Sequence, residues 1–477
     1  MIFHDDTIAA IATPLGEGGI GIVRISGRNA LDVARVIFSL SSGISVDTLP
    51  THTAHYGHAV DPLMREMVDD GILTIFRAPH SYTGEDSIEI SCHGGMVPMR
   101  RVLDAALRGG ARLAEPGEFT KRAFMNGRLD LIQAEAVLDI IRAHTDEALR
   151  IARQQFEGVL SSKIRGLRSE MIDIIAHIEA SIDFPEDVQE WQPGRIVGSI
   201  RDAISHVTSL LETANRGKIY REGIQTVITG RPNVGKSSLM NALLREGRAI
   251  VTPFPGTTRD IIEESLNIRG IPVRTIDTAG VRETDDPIEK IGVERARQST
   301  EQADLVLLVL DAVDGFTASD QKMASDLGGR KFIIVLNKSD LIRKSDAAEL
   351  AATVQSWLNA GSSDSPAPGV SKVPILNTAA PSNEGILELE EAIVDTILCG
   401  GIPLMDGPIV SNARHRHALE EACAGLKQAV ETAQSGMSLD FISIDLKSAV
   451  DALGHITGET VADDVIDRIF SEFCIGK

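Results

Sequence analysis

The sequence has 477 residues, of which 43% are hydrophobic, and it carries a formal net charge of -21. Its length is sufficient for roughly two to four globular domains. The acidic balance excludes a protein that coats nucleic acid non-specifically, because such binding depends on dense lysine and arginine. Any RNA contact must therefore be local. The candidate basic patches are Arg100-Arg101, residues 121–128 and residues 414–417, and for each of them a solvated surface cluster is the favoured interpretation.

The sequence shows neither a membrane-spanning run nor a secretion signal. No stretch approaches the roughly 20 apolar residues that cross a bilayer, and the first ten residues lack the basic start and apolar middle of a signal peptide. The four cysteines are scattered without a C-x-x-C pair, so their spacing indicates neither a disulfide framework nor a cysteine zinc site. We expect a cytoplasmic protein with reduced thiols and no membrane contact.

Three compositional regimes follow one another along the chain. Residues 1–122 alternate short β-prone runs such as GIGIVRISG, GILTIFRAP and SIEISCHGG with glycine-rich turns and one helix near residues 99–107, which predicts a compact α+β domain. Residues 123–222 repeat apolar side chains with the helical period, which predicts long amphipathic helices interrupted at Phe184-Pro185.

Residues 223–400 alternate buried-type strands (TVITG, VRTID, LVLLVLD, FIIVLNKSD, VPILNTA) with helical stretches. This alternation predicts an α/β domain built on a mostly parallel sheet, with AGSSDSPAPGVSK as a flexible loop inside it. Residues 401–477 return to the helical period. Helical segments on both sides of the α/β region indicate one helical domain into which the α/β domain is inserted.

The segment GRPNVGKS, residues 230–237, matches the phosphate-loop pattern G-x-x-x-x-G-K-[ST] between the strand TVIT and the helical SLMNALL. In such a loop the backbone N–H groups and the helix N-terminus surround phosphates, Lys236 neutralises their charge and the Ser237 hydroxyl ligates magnesium. With the strand and helix correctly placed, an ordinary glycine-rich turn is the weaker interpretation.

Three further motifs follow in order and together specify GTP. PGTTRD offers Thr257 or Thr258 to the metal, and DTAG offers Asp277 and Gly280 to the metal shell and the γ-phosphate. In NKSD, the Asp340 carboxylate can accept two N–H bonds from guanine, whereas adenine presents a different donor pattern.

The position that follows DTAG lacks the glutamine with which many such switches orient the attacking water, because Val281 stands there. Glu289 in PIEKIG is the best-placed polar replacement, although it could equally cap the next helix. Asn233 could place its amide oxygen on a monovalent cation that neutralises phosphate charge, with backbone oxygens from TPFPGT completing the shell.

The segments that carry a family resemblance are DTIAAIATPLGEGGIGIVRISG at the start, TGEDSIEISCHGG, GRPNVGKSSLMNAL with PGTTRD, and FCIGK at the end. In these segments the chain resembles the MnmE (TrmE) family of tRNA-modification GTPases over essentially its full length. The resemblance implies an α+β N-terminal folate-binding and dimerising domain, a helical domain split in sequence, and an inserted Ras-like P-loop GTPase domain. It implies a homodimer that works with the flavin-dependent MnmG, as a heterotetramer, on the wobble uridine of tRNA. The implied cofactors are GTP, Mg²⁺, K⁺ and a 5-formyl or methylene tetrahydrofolate derivative.

The resemblance also assigns residues. It implies catalytic roles for Glu289 and Cys474, magnesium ligation by Ser237 and Thr258, and potassium ligation by Asn233, Thr252, Phe254 and Thr257. The folate contacts would be Arg24, Glu89, Arg128 and Lys477. The GTP-binding set would comprise Asn233, Val234, Gly235, Lys236, Ser237, Ser238, Thr252, Thr257, Thr258, Asp277, Thr278, Ala279, Gly280, Asn337, Lys338, Asp340, Thr378, Ala379 and Ala380.

Several alternatives stay open at this stage. Cys474 could be a structural thiol, and Cys92-His93 resembles a nucleophile and base, but strand neighbours point to opposite faces, so a structural pair is favoured. Thr378-Ala379-Ala380 departs from the Ser-Ala-Lys or Ser-Ala-Arg of related GTPases, and we expect the Ala379 N–H to reach guanine O6 with weakened affinity. The alternative function is a regulatory GTPase of ribosome assembly, which should carry a basic RNA-binding module.

Overall fold

The computed structural model describes residues 6–184, 193–246, 263–277, 301–360, 373–398 and 407–477. The chain divides into two compact units. The first comprises residues 1–138, 155–204 and 421–477, and the second comprises residues 139–154 and 205–420. Each unit is built from segments distant in sequence, as expected when one domain is inserted into another.

One sheet organises the N-terminal part of the first unit. Among the described residues it has seven strands in the order β3-β4-β5-β6-β2-β1-β7, antiparallel except for β1 with β7. Helices α1 (Ala30–Ile37) and α2 (Met96–Arg108) bury its apolar face. The strands are β1 (Ile8–Ile11), β2 (Gly18–Ser26), β3 (Phe38–Leu40), β4 (Thr53–Val60), β5 (Met67–Phe76), β6 (Ser87–Gly94) and β7 (Arg112–Leu113).

Strand alternation on this sheet explains how a polar site can form above it. In β2, Val23 and Ile25 are fully buried under the helices, while Arg24 between them faces the other way. In β6, Ile88 and Ile90 are buried in the same manner and Glu89 lies between them. The face opposite the helices therefore carries charged side chains from adjacent strands.

The helical part of the first unit joins segments from before and after the α/β region. Helix α6 (Val159–Asp183) packs against α13 (Leu439–Thr457), and Lys447 pairs with Glu179 at 2.6 Å. This packing confirms the predicted helical domain that is split in sequence. The other helices outside the α/β region are α3 (Glu118–Met125), α4 (Leu131–Arg142), α5 (Asp146–Phe156), α7 (Pro193–Glu222), α12 (Ala413–Gln434) and α14 (Asp463–Ser471).

The second unit contains the predicted, mostly parallel sheet. Its described strands follow the order β13-β12-β11-β8-β10-β9, and β9 with β10 is the antiparallel pair. The strands are β8 (Ile224–Thr229), β9 (Glu263–Ile268), β10 (Ile271–Asp277), β11 (Leu305–Asp311), β12 (Phe332–Asn337) and β13 (Ile375–Asn377). The helices are α8 (Lys236–Glu246), α9 (Ala318–Asp326), α10 (Lys344–Ala360) and α11 (Ile386–Leu398).

The buried strands β11 and β12 explain why the sequence pattern was readable here. Every residue of both strands is buried, which requires continuous apolar runs rather than alternation.

The predicted loop falls mainly on residues 361–372, outside the described residues, and the domain boundaries at 122, 222 and 400 stay predictions. In the part of the chain that the structure describes, every helix is too short or too polar to cross a membrane.

Candidate functional site

The phosphate loop connects the end of β8 to the start of α8, and two of its glycines are sterically required. Gly230 (φ +149°) lies so close to β11 that a Cβ atom would sit 2.3 Å from the Val309 carbonyl oxygen. Gly235 (φ +96°) lies beneath the Asn337 amide, 2.2 Å from where its Cβ would be. Only glycine combines these backbone angles with such close approach.

Lys236 and the first residues of α8 form the floor of this loop. The Lys236 ammonium donates to the carbonyl oxygens of Gly230 at 2.8 Å and Arg231 at 2.9 Å, so its charge lies within the loop. Ser237 and Ser238 follow at the helix N-terminus and are exposed. An exposed hydroxyl beside a lysine and a helix N-terminus suits a magnesium-bound phosphate, because magnesium prefers oxygen ligands.

Asn337 joins the guanine-recognition motif to the phosphate loop. It ends β12 at 1% exposure, and its Nδ2 donates to the Val234 carbonyl oxygen at 2.9 Å. Its Oδ1 accepts the Thr378 hydroxyl at 3.3 Å and the Ala380 N–H at 3.4 Å. The buried Asn337 amide thus connects its own loop to the phosphate loop and to the loop at residues 378–380, which are far apart in the sequence.

Lys338 makes a second link between the same loops. Its ammonium donates to the Asn233 carbonyl oxygen at 2.8 Å and to Asp311 at 2.6 Å. Burial opposes the charge on Asp311, but the hydrogen bond and charge of Lys338, together with the backbone N–H groups of Val313 and Asp314, outweigh it and lower the pKa of that carboxyl. Asp340 lies two residues further on, exposed in the short turn Ser339–Leu341, where its carboxylate can meet a base.

The structure places Thr378-Ala379-Ala380 beside Asn337 of the guanine motif. The Ala379 N–H, expected to reach guanine, instead donates to the Glu384 carbonyl oxygen at 2.9 Å. The Ala380 N–H makes only a long contact of 3.4 Å to Asn337 Oδ1. The contact of the Ala379 N–H with guanine O6 stays a prediction, and in this structure that N–H pairs with Glu384 while the Ala380 N–H lies beside Asn337.

Part of the predicted GTP and ion site lies outside the described residues. Asp277 ends β10, where its backbone pairs with Ile228. The assignments to residues outside the described ranges stay predictions, and these residues are Thr252, Phe254, Thr257, Thr258, Thr278, Ala279, Gly280, Val281 and Glu289.

A second polar site lies on the N-terminal sheet. Arg24 and Glu89 are register partners on β2 and β6, and the Nε and Nη2 atoms of Arg24 both lie 2.8 Å from Glu89 Oε1. The guanidinium also lies 5.5 Å from the Tyr82 ring centroid and 5.6 Å from that of Phe119. Neither aromatic residue was predicted from the sequence, because no local motif marks either one as an arginine contact.

The C-terminal tail completes this site. Arg24 Nη1 donates to the Gly476 carbonyl oxygen at 3.4 Å, and the Phe119 N–H donates to that of Lys477 at 3.2 Å. Burial and the nearby Arg24 lower the pKa of the Lys477 amine, partly offset by Glu89. Three of the four predicted folate contacts therefore meet, whereas Arg128 lies exposed after α3 with no described side-chain contact to them.

The donor set fits a folate in chemical terms. Folates carry carboxylates and a pterin with an amide-like edge, so cations, one acidic acceptor and flanking aromatic rings are complementary to it. Cys474 is exposed in the same tail, and its carbonyl oxygen accepts the Gly117 N–H at 3.4 Å. The backbone of Cys474 therefore helps to dock the tail, and its side chain is exposed to solvent.

The structure excludes Cys92-His93 as a nucleophile and base pair. Cys92 is buried in β6, and burial together with Asp69 raises the pKa of its thiol to about 11, so it stays protonated. His93 points out of the strand and pairs with Asp69 at 2.8 Å, which raises the pKa of its imidazole. The predicted opposite orientation is confirmed.

Two of the candidate RNA patches are engaged within the fold. Arg122 is buried beside Asp6, Glu85 and Glu118, and Lys121 pairs with an aspartate on α14, Asp467. In the segment 414–417, His415 is 1% exposed and Arg416 pairs with Glu420. Neither segment is an open basic surface, in agreement with the acidic composition.

Gly476 offers a test of tail docking. It has φ +97°, and an added Cβ would lie 2.3 Å from the Ile11 carbonyl oxygen. We expect Gly476→Ala to release the tail and to speed its removal by carboxypeptidase. Ile475→Ala is the matched control, since Ile475 is 52% exposed; equal behaviour of the two variants would contradict the docking role.

Comparison with known proteins agrees with this architecture. The "GTP-binding protein TrmE N-terminus" family model matches residues 7–128, and the "MnmE helical domain" model matches residues 131–474. The "tRNA modification GTPase MnmE" of Geobacillus kaustophilus is 48% identical over 474 residues, covering 99% of each chain. The chain belongs to the MnmE (TrmE) family.

Other MnmE relatives match along the same length. That of Alkaliphilus metalliredigens is 46% identical over 477 residues, covering 100% of both chains. Among solved structures, the G domain of the Thermotoga maritima FeoB iron transporter is 28% identical, with 36% of this chain and 98% of that chain covered and a TM-score of 0.25. The MnmE matches show that the resemblance extends through the N-terminal and helical domains.

Proposed function

We propose that this chain is the GTP-hydrolysing component of a tRNA-modifying complex that adds a carboxymethylaminomethyl or aminomethyl group to carbon 5 of the wobble uridine. The one-carbon unit would come from a tetrahydrofolate derivative bound at the N-terminal sheet. The partner would be the flavin-dependent MnmG, and the chain would act as a homodimer. Its MnmE relatives, named as tRNA modification GTPases, support this assignment.

The observation that carries the proposal is the linkage of the guanine motif to the phosphate loop. Asn337 and Lys338 each donate to a phosphate-loop carbonyl oxygen, so base recognition and phosphate binding form one preorganised unit. Lys236 and the N-terminus of α8 would stabilise phosphate charge, and Asp340 would accept the guanine N–H groups. Ser237 would ligate magnesium, which supplies further stabilisation of phosphate charge when bound.

The Arg24 site supports the folate-dependent part of the proposal. Glu89 holds the guanidinium of Arg24 against the sheet, and the tail brings Lys477 beside both. These residues would bind and orient the folate, which fixes where its one-carbon unit is presented.

Nucleoside analysis tests the proposed function directly. In a deletion strain, mass analysis of nucleosides from total tRNA should show loss of the modified wobble uridines, with recovery when the chain is supplied on a plasmid. Unchanged wobble uridines would overturn the assignment. Normal uridines together with accumulation of ribosomal subunits would favour the alternative, a regulatory GTPase of ribosome assembly.

Potassium dependence is a second expected property. Asn233 is exposed in the phosphate loop with φ +64°, a position from which its amide oxygen can serve a monovalent cation. We expect GTP hydrolysis in potassium chloride to exceed that in sodium chloride by at least about tenfold, because the smaller sodium ion fits the same oxygens poorly. Equal rates at matched ionic strength would exclude a potassium role.

A further inference from the structure

The segment that runs from the last residue of β11 into the first turn of α9, residues 311–320, contacts both nucleotide-binding loops of the second unit. Its first residue, Asp311, pairs with Lys338 of the guanine motif at 2.6 Å. Its last residue, Asp320, accepts the Arg231 Nε of the phosphate loop at 2.9 Å. These contacts are made by side chains outside every nucleotide motif.

Asp320 is the more deeply placed of the two. It is fully buried, and both of its carboxylate oxygens are occupied. One accepts the N–H and hydroxyl of Thr317 at 3.0 and 2.7 Å, closing a capping box at the start of α9. The other accepts Arg231. Capping alone requires only the first oxygen, so the second contact needs a separate explanation.

Arg231 transmits this contact to the phosphate-binding atoms. Its carbonyl oxygen accepts the Lys236 ammonium at 2.9 Å, and its side chain also reaches Asp314 at 3.3 Å. The side chain of Arg231 is 22% exposed, so solvent only partly screens its pairing with the buried carboxylate. Fixing the side chain of Arg231 therefore fixes the peptide group that orients Lys236.

From this geometry we propose that Asp320 is a positioning residue for nucleotide binding, which acts through Arg231 to hold the phosphate loop in its binding conformation. This inference rests on the proposed GTP-binding function. Asp320 touches neither nucleotide nor metal in this role. A buried charge pair is sensitive to loss of one partner, because the other is left uncompensated in a poorly solvated position.

The test compares Asp320→Asn with Thr317→Ala in the full-length chain. Asp320→Asn can keep an oxygen for the cap, but it removes the charge that holds Arg231. Thr317→Ala removes the cap and leaves the Arg231 pair. We expect Asp320→Asn to weaken binding of fluorescent GDP and GTP about tenfold, equivalent to ~1.4 kcal/mol, and Thr317→Ala to lower the melting temperature with parental nucleotide affinity.

Arg231→Gln and the double variant complete a cycle. Arg231→Gln should weaken nucleotide binding to the same extent, and the double variant should be no weaker than either single variant, because both remove one interaction. If the loss of nucleotide affinity in the double variant equals the product of the two single losses, the proposal is overturned. If Asp320→Asn does not fold, parental GDP affinity in Arg231→Gln overturns it, and a tenfold loss without a change in melting temperature supports it.

The parental chain separates this inference from the proposed function. A parent that binds neither GDP nor GTP would overturn both. A parent that binds tightly, with Asp320→Asn and Arg231→Gln binding equally well, would overturn the positioning role alone. If nucleotide affinity falls in proportion to the melting temperature in every variant, Thr317→Ala included, Asp320 has a purely structural role and the positioning role is overturned.

Discussion

Asp340→Asn should change the preferred nucleotide from GTP to XTP. Guanine offers N–H donors at two adjacent positions, which the Asp340 carboxylate can accept. Xanthine replaces the amino group with a carbonyl oxygen, which an asparagine amide can match with one donor and one acceptor. We expect GTP affinity to fall by at least about a hundredfold and XTP affinity to rise, because a mismatched site leaves polar groups unpaired.

The measurement is a titration of parent and variant with fluorescent GDP and XDP. Asp346→Asn is the matched control, since the Asp346 side chain is also solvent-accessible, in the first turn of α10, where it pairs with Arg343 just before the helix. The control should keep the parental preference. A variant at Asp340 that still prefers GDP would mean that guanine is read by other groups, and the NKSD assignment would fail.

Glu289→Ala should slow GTP hydrolysis by roughly two to three orders of magnitude, the usual contribution of a positioned general base or water-orienting group. Val281 stands where a glutamine would normally orient the water, so the chain needs another polar side chain for that role. Nucleotide affinity should remain close to parental, because the water is oriented only on the path to the transition state.

Single-turnover hydrolysis in potassium, alongside GDP titration, separates these two effects. Glu283→Ala serves as a control, because it removes another carboxylate from the same stretch of sequence. It should hydrolyse GTP at the parental rate. Parental turnover in Glu289→Ala, or an equal loss in both variants, would show that the water is oriented by a different group.

The structure refines rather than replaces the expectations drawn from the nucleotide motifs. The phosphate loop was readable because its function resides in consecutive residues, with two glycines required by close backbone approach. The guanine loop was less readable. The Ala379 N–H donates to the Glu384 carbonyl oxygen, a contact that no local motif marks.

The short elements of the N-terminal domain were harder to predict than the buried strands of the GTPase sheet. Helix α1 has only eight residues, so its helical apolar spacing (Ala30, Val33, Ala34 and Ile37) runs for just two turns, and β4 mixes histidine, tyrosine and alanine. Both form because the sheet and its helices bury them together. Long apolar runs such as β11 carry enough local signal to be read without that context.

The sequence by itself determined the family, the order of domains and the guanine-nucleotide chemistry of this protein, because each depends on local motifs or on the periods of helices and strands. Tertiary structure alone decided which distant residues meet. Arg24 reaches a carbonyl oxygen 452 positions away in the tail, and Arg231 meets Asp320 across 89 positions. Such contacts depend on sheet register and on packing between segments far apart in the chain, and no local pattern encodes either.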